Sequence, residues 1–347
     1  MQTSITIDEQ VIMPGTRQTV QIPLPSFYTH NSASMPVHVI HGKHEGPKLL
    51  VTSTMHGDEI NGIEIIRRLL GKKSLKNISG TLILVPIVNV HGFISRSRYM
   101  PDRRDLNRSF PGSTKGSMAA RLANLFMNKL VKKCDCLIDI HTGAIYRENL
   151  PQIRAELTKE PGLKELARAF GAPVIVDSDL KEGSLRQAAR KLGIPVLLYE
   201  AGEALRFDEV GIRAGVEGIL GVMSYLQMIK RKRKKIVDSL ITSSSQWTRA
   251  TQSGIFRSVM PLGCQVATGD TLGFVSDPFG DHEEVITSLT DGIIIGKTKL
   301  PLVHEGEAIF HIARFRQPDQ AADNIEIFND EYNPFTDLEQ SDEPPLI

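Results

Sequence analysis

Two residues that could bind a metal stand three positions apart in the N-terminal part of the chain. His56 and Glu59 lie in VTSTMHGDEINGIEIIRRLL (51–70), between an apolar run that predicts a buried strand and a stretch that predicts an amphipathic helix. Across the first turn of a helix, the imidazole and carboxylate of a His-x-x-Glu pair can converge on one ion. The structural alternative is that Asp58 or Glu59 caps free backbone N–H groups at the helix start.

Other chemically competent side chains also follow predicted strands. They are Asn89 and His91 after 81–88, His141 after 136–140, and Glu200 and Glu203 after 195–199. In a parallel sheet these strand ends share one edge, where ligands bind. Two imidazoles, a carboxylate and a further glutamate are the parts of a catalytic zinc site, in which the non-ligand glutamate accepts a proton from water. We therefore predict a metal site at His56, Glu59 and His141, with a hydrogen-bonded core histidine as the alternative for His141.

Arginines are concentrated in the segment SRSRYMPDRRDLNRSFPG (95–112). They are Arg96, Arg98, Arg103, Arg104 and Arg108. Guanidinium groups bind carboxylates in a bidentate fork and can stabilise a developing oxyanion, so the segment predicts an anion site. For Arg103 and Arg104 we expect a solvated loop or surface ion pairs instead. Asp105 could orient a metal-binding histidine by accepting a hydrogen bond from it.

The elements that must position these residues alternate along the chain. Strands are predicted at 36–42, 48–54, 81–88, 136–140, 173–177 and 195–200, and helices near 58–71, 116–133, 162–170, 183–192 and 209–230. This alternation predicts an α/β domain with a largely parallel central sheet and helices on both faces. We place this domain at 1–240, with its core at 36–230.

The C-terminal third has a different sequence pattern. Short β-like runs separated by glycines predict a β-rich domain at 241–316. It resembles the lipoyl-type barrel, but SLTDGIIIG (288–296) has no lysine in the turn where a carrier domain presents one, so we expect a fixed cap. Residues 317–347 contain only acidic charged residues and are predicted to form a disordered tail, although IEIF (325–328) could dock as a strand.

The composition excludes several classes of function. The chain of 347 residues has a net charge of +1, with 41% hydrophobic and 23% charged residues, so nothing attracts it globally to nucleic acid or to anionic membranes. No apolar run approaches the ~20 residues of a membrane span, and the N-terminus lacks the features of a secretory signal. Three cysteines do not make a disulfide framework. We therefore expect a cytoplasmic protein.

Four motifs together resemble those of a known family. HGDE (56–59), RYMPDRRDLNR (98–108), DIHTG (139–143) and YEAGE (199–203) occur in this order and resemble the succinylglutamate desuccinylase/aspartoacylase family. That family belongs with the zinc carboxypeptidases, and the resemblance covers roughly residues 36–230. It implies a zinc-carboxypeptidase-like fold with one zinc per chain.

The resemblance also implies a role for each matching residue. His56, Glu59 and His141 would be the zinc ligands. Glu200 would be the general base, with Glu203 as a competitor for that role. Arg98 would polarise the scissile carbonyl. Asn107 and Arg108 would hold a substrate carboxylate, and Asp105 would support His56.

The leading functional hypothesis is a zinc-dependent amidohydrolase, or deacylase. It would cleave the amide of a small N-acyl amino acid, or a related N-acyl compound, that has a free carboxylate. A metallocarboxypeptidase acting on a peptide or peptide-like conjugate needs the same residues and is the alternative. A non-catalytic binding protein is the third hypothesis. A homo-oligomer is compatible with the sequence.

Overall fold

In the part of the chain that the structure describes, the fold consists of sheets of thirteen, four and two strands and the helices that pack on them. The computed structural model describes residues 2–26, 28–160, 162–231 and 236–333. The strands are β1 (Ile5–Ile7), β2 (Gln10–Ile12), β3 (Thr16–Leu24), β4 (Ala33–His41), β5 (His44–Ser53), β6 (Ser79–Val85), β7 (Cys136–Gly143), β8 (Arg147–Ala155), β9 (Val174–Asp177), β10 (Val196–Glu203), β11 (Leu240–Thr242), β12 (Ser244–Arg249), β13 (Gly254–Ser258), β14 (Gln265–Val266), β15 (Thr271–Ser276), β16 (Glu283–Thr287), β17 (Gly292–Thr298), β18 (Leu302–Val303) and β19 (Ala308–Arg314). The α-helices are α1 (Asn61–Leu70), α2 (Val90–Ile94), α3 (Met118–Lys129), α4 (Leu163–Phe170), α5 (Leu185–Arg190), α6 (Glu209–Tyr225) and α7 (Pro318–Tyr332), and 3₁₀-helices span Lys73–Lys76, Leu106–Arg108 and Val131–Lys133. None of the helices in these ranges is long and apolar enough to cross a membrane.

The large sheet has a parallel centre and antiparallel flanks. Its main path runs β12-β19-β17-β8-β10-β7-β5-β6-β4-β3. Strands β6, β5, β7 and β10 are mutually parallel, whereas β4 and β8 flank this centre in the antiparallel sense. The prediction of a largely parallel sheet is therefore wrong for the sheet as a whole, which is mixed. Strands β4 and β8 add to this centre in the antiparallel sense, and each pairs with a strand that is not its neighbour in sequence.

Side chains of the central strands alternate between two apolar layers. On β5, Leu49 and Val51 pack with helices α1, α4 and α6, whereas Leu50 packs with α3 and α5 on the opposite face. This follows from the two-residue period of a strand, which sends successive side chains to opposite faces. Burial on both faces explains why these strands have nearly continuous apolar sequences. The α/β architecture with helices on both faces is thus as expected.

The C-terminal β-region is joined directly to the large sheet. Strands β16, β15, β13 and β18 form a separate four-stranded sheet, whereas β12, β19 and β17 extend the large sheet through the β17–β8 pair. A small apolar core that includes Phe256, Leu272 and Phe310 lies inside this region. Its likeness to a lipoyl-type barrel remains a prediction.

The predicted disordered tail is wrong for its first half. Residues Pro318–Tyr332 form helix α7, which buries Ala321, Ile325, Phe328 and Tyr332. These residues recur at intervals of four, three and four, so they form one apolar stripe on a helix whose other face carries the acidic residues. IEIF docks as part of this helix and not as a strand. Residues 334–347 lie outside the described residues.

Candidate active site

Three buried side chains converge at the carboxyl ends of the neighbouring parallel strands β5 and β7. Nδ1 of His56 lies 2.7 Å from Oε1 of Glu59, and Nδ1 of His141 lies 2.7 Å from Oε2 of the same carboxylate. Their three ligand atoms all lie within 4.8 Å of one another, so the group could hold one metal ion. We call it the His-Glu-His triad.

His56 and Glu59 lie in the loop between β5 and α1, before the first residue of the helix. Helix α1 is preceded by Ile60, which makes no side-chain capping bond, so Glu59 does not cap the helix. A Cβ at Gly57 would lie 2.0 Å from the backbone carbon of Gly92, so only glycine allows this close approach of the loop to helix α2. The capping alternative for Glu59 is therefore wrong.

The outer nitrogens of both imidazoles face carboxylates. Nε2 of His56 lies 3.2 Å from Asp105 Oδ1, and Nε2 of His141 lies 2.8 Å from Asp139 Oδ2. Asp139 in turn accepts a hydrogen bond of 2.8 Å from the Thr52 hydroxyl. A carboxylate acceptor at Nε2 fixes the ring and leaves the lone pair of Nδ1 for a ligand. The arrangement fits a metal centre better than a hydrogen-bonded core histidine.

The charges around the triad also favour a cation. Burial alone would raise the pKa of Glu59, but the neighbouring His56 and His141 outweigh it and hold this pKa well below the usual carboxyl range. Burial likewise opposes ionisation of Asp105, but His56 and Arg98 lower its pKa. Burial would lower the pKa of His141, but Asp139 and Glu59 raise it. Three carboxylates thus surround two imidazoles in a buried space.

One cleft contains the triad and four further predicted residues. Its lining includes Arg98, Asn107, Arg108 and Glu200. Arg98 donates to Asp105 at 3.0 Å and lies 3.4 Å from Glu59, so it stands at the edge of the triad. The side-chain oxygen of Asn107 accepts a hydrogen bond from the backbone N–H of Leu185, and Arg108 donates to the Asn107 carbonyl.

The two glutamates of the YEAGE motif are in different environments. Oε2 of Glu200 accepts a hydrogen bond of 2.6 Å from Asn149 and lies 3.4 Å from an Arg154 nitrogen. Glu203 instead accepts a bond from the backbone N–H of Tyr146 and lies 3.6 Å from Lys299. Among the described residues, only Glu200 of this pair lines the cleft.

Other polar residues that the sequence analysis named lie outside the triad. The Asn89 side chain accepts a bond from the N–H of Gly92 and so caps helix α2. His91 is buried on that helix and is not part of the triad. Arg103 and Arg104 are exposed, as expected.

Several cleft residues could not be found from the sequence pattern. They are Arg147, Asn149, Arg154, Lys181, Arg186 and Trp247. The first three lie on β8, a strand whose sequence RENLPQIRA has neither an apolar run nor clean alternation. Trp247 is on β12 and comes from the C-terminal β-region. Asp139 had a signal, since it is the only charged residue of the predicted strand 136–140 and stands two residues before His141.

Comparison with known proteins gives one family. Residues 45–226, just over half of the chain, match the model of the succinylglutamate desuccinylase/aspartoacylase catalytic domain. N-alpha-acetyl-L-2,4-diaminobutyric acid deacetylase of Halomonas elongata is 33% identical over 147 residues. That alignment covers 41% of this chain and only 43% of the relative, so less than half of the relative is matched.

Solved structures share the fold over most of the chain. A succinylglutamate desuccinylase/aspartoacylase from Rhodobacter sphaeroides has a TM-score of 0.78 and 25% identity, and the alignment covers 86% of this chain and 96% of that one. The product-bound ectoine utilization protein EutE (DoeB) from Ruegeria pomeroyi has a TM-score of 0.80 and 23% identity, with 90% of this chain and 99% of that one covered.

Proposed function

The chain belongs to the succinylglutamate desuccinylase/aspartoacylase family, and from that premise we propose that it is a zinc-dependent deacylase. It would hydrolyse the amide bond of a small N-acyl amino acid, or a related N-acyl compound, with a free carboxylate. The deacetylase of Halomonas elongata supports an amide-hydrolase activity. The observation that carries the proposal is the His-Glu-His triad in the same cleft as the base candidate Glu200.

The triad fits zinc by its chemistry. Two imidazole nitrogens and one carboxylate are the ligand set of many catalytic zinc sites and leave a position for water. His56, Glu59 and His141 would hold the ion, with Asp105 and Asp139 orienting the imidazoles. When bound, zinc supplies Lewis-acid chemistry: it acidifies water and polarises a carbonyl.

Glu200 is the proton carrier in this proposal. Its Oε2 is engaged by Asn149 and Arg154, whereas no partner of Oε1 is found within the described part of the chain. Oε1 would accept the proton of the attacking water and pass it to the leaving amine. Glu203 is bound elsewhere and is not placed for this task.

Cations of the cleft are the proposed substrate clamp. Arg186 is only 8% exposed. Its guanidinium donates to the Ser178 hydroxyl and the Asp179 carbonyl, and no ion pair to a described carboxylate is found. Burial and the neighbouring Arg108 and Arg154 lower the pKa of Lys181. This excess of positive charge supports an anionic substrate, with Arg108 and Asn107 holding its carboxylate and Arg98 facing the scissile carbonyl.

The proposal is tested by amine release from N-acyl amino acids. The panel is Nα-acetyl-L-2,4-diaminobutyrate, N-acetyl-L-aspartate and N-succinyl-L-glutamate, each offered to zinc-loaded and to metal-free protein. We expect hydrolysis of at least one compound by the zinc-loaded protein and none by the metal-free protein. Equal rates for both forms would contradict a metal-dependent deacylase.

A further inference from the structure

Asn149 lies in a row of residues that crosses five strands of the large sheet. Trp247 on β12 pairs with His311 on β19, His311 with Gly296 on β17, Gly296 with Asn149 on β8, and Asn149 with Gly202 on β10. Directly paired residues project to the same face of a sheet. The row therefore connects the C-terminal β-region to the strand that carries Glu200.

We propose that Asn149 is a positioning residue for Glu200 and that Gly296 of the C-terminal β-region keeps the Asn149 amide in place. This rests on the proposed function, in which Glu200 is the general base. It assigns the C-terminal β-region a part in the chemistry, in addition to contributing Trp247 to the lining of the cleft.

The first step is the bond between Asn149 and Glu200. Asn149 is 9% exposed, and its Nδ2 lies 2.6 Å from Oε2 of Glu200. A hydrogen bond to an ionised carboxylate is shorter and stronger than a neutral one. Since this bond and the Arg154 contact both occupy Oε2, they fix the carboxylate plane and leave Oε1 for water. Without Asn149 the carboxylate could rotate about its last torsion, which is broad.

The second step is the room left by Gly296. A Cβ at this position would lie 2.8 Å from Oδ1 of Asn149 and 3.4 Å from the Glu148 carbonyl and the His311 Cβ. The only severe contact is thus with the far end of the Asn149 side chain. On its other side the row is filled, because His311 stacks on Trp247 with ring centroids 4.5 Å apart and an angle of 6°. Any side chain at Gly296 would therefore push the Asn149 amide toward a new position.

The test uses three single variants and the double variant that combines Asn149→Ala with Gly296→Ala. Asn149→Ala removes the donor, Asn149→Asp removes it and adds a negative charge beside Glu200, and Gly296→Ala displaces the amide while Asn149 is retained. We expect kcat to fall about 10-fold or more for Asn149→Ala, and further for Asn149→Asp. KM, zinc content and melting temperature should stay close to those of the parent protein. Lys297→Ala, the next residue on β17, is the matched control and should leave kcat unchanged.

The double variant shows whether Gly296→Ala acts by displacing the Asn149 amide or by a general structural effect. Gly296→Ala should lower kcat in the parent but have no further effect in the Asn149→Ala background, because both changes act through one amide. A parent-like kcat for Asn149→Ala, or independent losses in the double variant, would overturn the proposal. If Asn149→Ala does not fold, Gly296→Ala decides alone, and a parent-like kcat there also overturns it.

Glu200→Gln distinguishes this inference from the proposed function. An inactive Glu200→Gln together with a fully active Asn149→Ala would overturn only the positioning role. A fully active Glu200→Gln would overturn the general-base assignment, and the positioning role with it. All variants are assayed on the same three N-acyl amino acids, so that a change of preferred substrate is not mistaken for a loss of kcat.

Discussion

The carboxylate of Glu59 stands between two imidazoles, and each of its oxygens lies 2.7 Å from one Nδ1. Such a cluster has donors for one ion, so we expect about one zinc per chain in the purified protein. His56→Ala, Glu59→Ala and His141→Ala should each lose most of the metal, as measured by elemental analysis. Asp139→Asn should keep more metal than these, because it only orients His141. Full metal retention in all three ligand variants would contradict the site.

Glu200 and Glu203 are the same residue type and stand three positions apart. Substituting each in turn can separate their roles. Glu200→Gln should keep the metal and lose about 100-fold or more in kcat, because an amide cannot accept the proton of water. Glu203→Gln should be milder, since Glu203 binds a backbone N–H and Lys299. Steady-state kinetics with zinc analysis tests this, and a larger loss in Glu203→Gln would reverse the assignment.

Two arginines of the 95–112 segment should give different kinetic phenotypes. Arg108→Ala should mainly raise KM, by about 10-fold or more, since the proposed carboxylate contact exists in both the ground state and the transition state. Arg98→Ala should mainly lower kcat, because it faces charge that grows during the reaction. Arg103→Ala, an exposed neighbour, is the control. The same phenotype for Arg98→Ala and Arg108→Ala would refute this division of roles.

At the scale of elements, β8 shows why part of the site could not be predicted. His56 and His141 were predictable because each follows an apolar run that marks its strand. Asn149 and Arg154 lie on β8, whose polar side chains face the cleft and thereby remove the apolar pattern from which strands are recognised. A residue that contacts Glu200 across strands leaves no local sequence signal. The acidic composition of α7 concealed its apolar stripe in a similar way.

His311 on β19 gives a prediction about stability. Burial, with a further contribution from the nearby Arg154, lowers the pKa of His311 to about 3. Below pH ~6.5 the unfolded chain binds a proton here that the folded chain does not, so stability is lost as the pH falls toward 3. His311→Phe, which retains an aromatic ring against Trp247, should flatten this dependence by up to about 1.4 kcal/mol per pH unit.

The measurement is the free energy of unfolding by urea at pH 7, 6 and 5. The exposed His304 provides the control variant His304→Gln, which should follow the parent curve. Parallel curves for His311→Phe and the parent would contradict the buried neutral histidine.

At the scale of the whole molecule, the C-terminal β-region cannot be treated as a detachable cap. Its strand β17 pairs with β8, and β8 pairs with the strand of Glu200. A chain cut near residue 240 would leave residues 147–149 of β8 without their partner strand β17, so its activity would not report on the width of the cleft alone. Trp247, which lines the cleft from this region, supports the predicted role as a wall.

The family and the architecture were predictable because four short motifs occur in a fixed order on alternating strands and helices, and the family prediction is confirmed. The antiparallel extension of the sheet was not predictable. Its strands pair with partners that are distant in sequence, and β17 pairs with β8, which lies more than a hundred residues earlier. Such pairing depends on tertiary contacts that no local pattern encodes.

The most direct test of a metal-dependent deacylase is a side-by-side assay of the intact, zinc-loaded chain on small N-acyl amino acids and on unblocked peptides. Both kinds of substrate need the same metal, base and carboxylate clamp, but a peptide also needs an open groove beyond the scissile amide. Because Trp247 and Arg147 line the cleft together with the triad, we expect amine release from N-acyl amino acids and little or none from peptides. Faster cleavage of the peptides would contradict the deacylase and identify a carboxypeptidase instead.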